Sequence, residues 1–117
     1  LLLAQLPPEQ YARVVDKLSV YALTTNTQTD RQQLLATIAR AKAEQLSVDN
    51  EEFIPGMVAF AVPIPNGDGA PFATLFTHGP TVLKSLDELL TYAPAMRRAA
   101  DELAVVFQKQ GAEAFSH

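Results

Sequence analysis

Cysteine and tryptophan are both absent from the 117 residues. The first absence removes disulfides, thiolate nucleophiles and cysteine metal sites together, and nothing requires an oxidising compartment, so a cytoplasmic address is expected. Basic residues are scarce: nine Lys and Arg face thirteen Asp and Glu, giving a net charge of −4. That is the wrong sign for a chain that grips nucleic acid by neutralising phosphates. Long apolar runs are also missing. The longest, Met57 to Ile64, contains Pro63 and falls far short of the ~20 residues that cross a bilayer, so no membrane is expected among its partners. Only His78 and His117 could act as imidazole bases, and no serine sits in a G-x-S-x-G or S-x-x-K pattern. The glycines match neither G-x-G-x-x-G nor the phosphate-binding loop, so neither an enzyme nor a cofactor is expected. The chain opens Leu1-Leu2-Leu3-Ala4 without an initiator Met, a basic segment or a cleavage site, as though it began inside a longer polypeptide.

Apolar residues make up 48% of the chain, enough for a core, and the length suits one compact unit or part of one. Tyr11, Val14, Val15 and Leu18 follow Pro7-Pro8-Glu9 at helical spacing. Asp30 with Gln33 reads as a capping box opening a second helix. Its stripe Leu34, Leu35, Ile38, Ala39, Lys42 and Leu46 should end near Leu46, with Lys42 lifting its charge into water. Ser47 to Glu52 is polar and acidic. Met57–Ile64 and Phe72–His78, joined through Asn66-Gly67-Asp68-Gly69, read as a β-hairpin. The first strand, apolar on both faces, should be central or covered. The second should place Phe72, Thr74, Phe76 and His78 on one face. From Leu86 to Phe107 a helical stripe runs across Pro94, which predicts a kink or two abutting helices, with Gly111 as a stop and Ser116 and His117 as a frayed tail. The order helix, helix, strand, strand, helix is an α+β layout. Two strands are too few for a stable sheet, so further strands from elsewhere are expected.

Three local features carry ordinary readings. Asn66-Gly67-Asp68-Gly69 is a turn rather than a calcium loop, because Thr77 stands where the loop's bidentate Glu belongs. Glu51 and Glu52 are adjacent, so they point apart in extended chain and read as solvated charge. His78 fits either a core or rim histidine or a polar anchor in an apolar pocket.

The segments in combination resemble a family. Leu3-Ala4, the Thr24 and Thr27 pair, Asp49-x-Glu51-Glu52, Gly56, Ala61-Val62-Pro63-Ile64, a hairpin, Gly79-Pro80 and a closing helix are similar to the C-terminal effector-binding domain of the IclR (isocitrate lyase regulator) family of bacterial transcription factors. The resemblance implies a GAF-like α+β fold. Residues 1–117 would form the later part of an effector-binding and oligomerisation domain, with an antiparallel sheet, flanking helices and a long kinked C-terminal helix. It also implies a homo-oligomer, a small organic acid as effector, and operator DNA bound only through a helix-turn-helix domain absent from this chain.

In that family the effector meets the Asp of the acidic motif, a Cys or Ser in the strand after Gly, and two Ser before Gly-Pro. Only Asp49 is retained. Ala59 replaces the Cys or Ser, and Phe76 and His78 replace the two serines. Such a site is less suited to a glyoxylate-like acid held by hydroxyls and better suited to an aromatic or hydroxylated acid held by His78 and stacked on Phe76. The competing reading is a degenerate sensor that serves only as an oligomerisation module.

Overall fold

The computed structural model describes residues 1–17, 24, 25, 27, 30–65 and 73–115, with side chains through Lys109. A short 3-10 turn, Leu3–Gln5, leads into α1 (Pro8–Lys17) and α2 (Arg31–Glu44). Asp30 caps α2 by accepting hydrogen bonds from the Gln32 and Gln33 amides at 2.8 and 3.1 Å. The helix ends at Glu44, and Gln45 turns left-handed at φ 52°. Lys42 is not spent on solvent as expected: its ammonium donates to the Leu6 carbonyl at 3.1 Å, tying α2 to the segment before α1. Tyr11, Val15, Ile38 and Ala41 bury one apolar cluster around Ala4. Leu18, expected in that stripe, and the Asn66–Gly69 turn lie outside the described residues, as do Phe72, Ser116 and His117.

Three strands follow, not two: β1 (Ser47–Asn50), β2 (Met57–Ile64) and β3 (Ala73–Pro80) form an antiparallel sheet in the order β1-β2-β3. The polar Ser-Val-Asp-Asn segment becomes a strand because β2 offers it a ladder, not because its own side chains favour one. β2 is central, as its two apolar faces required. Pro63 is tolerated in it because it lies beyond Ala61, where β1 no longer runs alongside.

Val58, Phe60, Val62 and Ile64 alternate along β2 and are all buried, forming the second apolar cluster with Leu89, Ala100 and Ala104. Leu89 comes from α3 (Leu86–Leu90), and the two alanines come from α4 (Ala93–Phe115). These are the abutting helices that Pro94 demanded. The chain breaks at Thr91–Tyr92, and Pro94 sits in the first turn of α4, where its missing amide costs nothing. Ser85 opens α3 with a reciprocal capping box to Glu88. Gly111 does not stop α4, which continues to Phe115.

Arg97 ties the two clusters together. Its guanidinium donates to the carbonyls of Glu44 and Gln45 at 3.1 and 3.0 Å, placing a cation from α4 on the negative end of α2.

Candidate functional site

The ladder sorts the sheet into two faces. One is packed under α3 and α4; the other carries Asp49, Ala59 and His78 in a single cross-strand row, because Asp49 pairs with Ala59 and Ala59 with His78. Phe76 lies two residues along β3 on the same face, and its ring stacks on His78 with centroids 5.9 Å apart and planes at 25°. All four residues singled out in the sequence therefore meet on one surface. They line a cavity of about 340 Å³, within the range of small-molecule sites. Neighbouring strands lie roughly 4.8 Å apart, so Asp49 and His78 stand at opposite ends of a floor about 10 Å long, with only the Ala59 methyl between them.

The rim comes from the loop that follows β1. Phe53 and Ile54 project there with 63% and 47% of their surface exposed, and both line the cavity together with Met57. Neither was singled out in the sequence, although two bulky apolar residues inside an acidic, Pro-Gly-terminated loop were a signal for a surface awaiting a contact.

The loop's shape is held by polar groups. Asp49 Oδ1 accepts from the Glu52 amide at 2.8 Å, and Glu51 Oε1 accepts from the Gly56 amide at 2.8 Å. Glu51 and Gly56 both take positive φ, 58° and 78°. Glu51 is thus a backbone clasp and not solvated charge. Thr24 donates to the Glu51 carbonyl at 2.5 Å, and the Thr27 hydroxyl donates to the Glu52 carbonyl. Burial, and then the neighbouring Asp49 charge, push the Glu52 carboxyl above its ordinary value against the opposing hydrogen bond at Asn50.

Chemically, the row offers a carboxylate with an oxygen beyond the one committed to Glu52, an imidazole, and two aromatic surfaces, Phe53 and Phe76. It can hold a flat guest bearing one acceptor and one donor. No group of three His, Asp or Glu among the described residues is arranged to hold a metal ion, and no described helix is long and apolar enough to cross a membrane.

Comparison with known proteins agrees with this architecture. Residues 1–105 match the family described as the bacterial transcriptional regulator IclR C-terminal domain. The chain is 35% identical over 107 residues, 92% of its length, to the "Probable transcriptional regulator SauR" of Cupriavidus necator, and 32% identical over 103 residues, 88% of its length, to the HTH-type transcriptional regulator BhcR of Paracoccus denitrificans. It spans 42% and 37% of those two proteins. Among solved structures, the inducer-binding domain of the PobR transcription factor from Acinetobacter, a double mutant in complex with 3-hydroxybenzoic acid, superposes with a TM-score of 0.83 at 29% identity. That match covers 88% of this chain and 59% of the PobR chain. These relatives are regulators rather than enzymes, and the PobR superposition shows that the fold is shared with that domain. The chain therefore belongs to the IclR family of bacterial transcriptional regulators, as its C-terminal effector domain.

Proposed function

We propose that the cavity on the open sheet face binds an aromatic carboxylic acid, best one that also carries a hydroxyl, and that the bound acid governs DNA binding by a separate helix-turn-helix domain. The observation that carries this reading is the row Asp49, Ala59, His78, with Phe76 stacked beside it. A ring N–H of His78 would donate to the guest's carboxylate in a charge-assisted hydrogen bond. Phe76 would stack on the ring, Ala59 leaves room for it, and Asp49 would accept from the guest's hydroxyl. An acid lacking that hydroxyl meets Asp49 as an uncompensated like charge. The 3-hydroxybenzoic acid held by the PobR domain has this combination of groups. The regulator would work as a homo-oligomer in the cytoplasm, with no cofactor.

The test is calorimetry with 3-hydroxybenzoate, benzoate and pyruvate. The expected order of affinity is 3-hydroxybenzoate, then benzoate, then pyruvate. His78→Ala should weaken the first by about tenfold, the loss of one charge-assisted bond. Binding that ignores His78→Ala, Phe76→Ala and Asp49→Ala alike would overturn the site. Failure of every acid to bind would favour the second reading, an oligomerisation module whose exposed Phe53, Ile54 and Phe76 meet another copy of the chain.

A further inference from the structure

A larger cavity, of about 580 Å³, lies away from the row, where the end of β3 meets the α3–α4 junction. The helix break creates it. α3 is a single short helix, the chain turns at Thr91–Tyr92, and α4 then presents Ala95, Met96 and Ala99 to the space, two of them with no more than a methyl. On the strand side Gly79 adds no side chain, and a Cβ placed there would meet no atom within 4 Å. Leu83 and Leu89 complete an aliphatic wall, and Leu83 stays 76% exposed at its edge.

Among its described lining residues this cavity has a cation and no carboxylate. Lys84 lines it with its ammonium 5.4 Å from the centre of the Tyr92 ring, a cation–π contact that holds the charge beside the opening. Thr77 and Tyr92 add neutral hydroxyls, and no Asp or Glu is among the described lining residues. The sheet-face cavity, by contrast, has Asp49 in its floor. Of the two, this one is electrostatically the more favourable for an anion with no hydroxyl to offer.

We infer that the cavity beside Lys84 is a second ligand site, which takes an aliphatic monocarboxylate with its chain along Ala95, Met96 and Ala99 and its carboxylate on the Lys84 ammonium. This site stands whether or not the sheet face binds an aromatic acid. Val58 and His78 contribute to both cavities, so a guest in one is separated from the other only by the sheet.

The probe is octanoate, titrated into the full chain and followed by calorimetry and by the alanine methyl resonances in NMR, with octylamine as the control of opposite charge. Octanoate should shift the Ala95 and Ala99 methyls. Lys84→Gln should weaken its binding by about tenfold, the loss of one charge-assisted contact. Ala95→Phe, at an exposed position where folding is not at stake, should fill the space and abolish binding. Octylamine should leave the same methyls unmoved. The inference is overturned if octylamine binds as well as octanoate, if either variant binds octanoate unchanged, if the shifts are confined to Ala59 and Ile54, or if octanoate does not bind.

Discussion

Glu52 shows how the loop beside the candidate site trades stability for shape. Its carboxyl is raised above the ordinary glutamate value by burial and by Asp49, so the folded chain holds that proton to a higher pH than the unfolded chain does. The contribution to stability is therefore fully present below the unfolded value and is lost as pH rises through the raised folded value. Replacing the group with a neutral amide removes the penalty. Glu52→Gln should have a higher urea midpoint than the parent at pH 7, and the difference should close as the pH is lowered beneath the glutamate range. Equal midpoints at every pH would show that the neighbourhood of Asp49 imposes no strain on the loop. Glu51 behaves differently, since its carboxylate clasps the Gly56 amide and its own backbone is left-handed.

Among the elements, the helix layer depends on a cap and on two alanines. The Ser85 side chain accepts from the Glu88 amide while Glu88 answers the Ser85 amide, and α3 has only five residues with which to hold itself. Ser85→Ala should cost about 1 kcal/mol in urea unfolding, the usual worth of such a cap. A change within error would mean that α3 is kept in place by Leu89 alone.

The apolar run of β2, the Asp30 cap and the consequence of Pro94 could be read from the residues, because each rests on a local rule: alternation, capping chemistry, a missing amide. β1 could not, because Ser-Val-Asp-Asn becomes a strand only through pairing with β2, some ten residues away. The same blindness touched the site. Asp49, Ala59, Phe76 and His78 were reached through family resemblance, but that three of them form one row depends on the register of a strand that its own sequence conceals. Phe53 and Ile54 were passed over because apolar residues in a loop have no period to betray them.

For the molecule as a whole, the described residues cover the sheet with helices on one face. The radius of gyration is 16.0 Å, whereas a compact domain of this size has about 13 Å, and the apolar residues gather in two clusters joined by Arg97 and the start of β1. Val82 at 90% exposure, Leu83, Phe53 and Phe76 add apolar surface beyond what an isolated unit would leave to water. Self-association is the expected consequence, visible in sedimentation equilibrium as a mass above 12.7 kDa at micromolar concentration. A sharply monomeric species there would contradict it. With a net charge of −4, the same chain should leave operator DNA unretarded at physiological salt.

The most direct test of the proposed effector site is a methyl NMR titration with 3-hydroxybenzoate. A ring lying over the row on the open sheet face should produce ring-current shifts at the Ala59 and Ile54 methyls, saturating together and lost in Phe76→Ala, while the Val62 and Ala100 methyls beneath the sheet stay in place. Shifts confined to Ala95 and Ala99, or no shift at any methyl, would contradict the assignment of the row as the place where the effector binds.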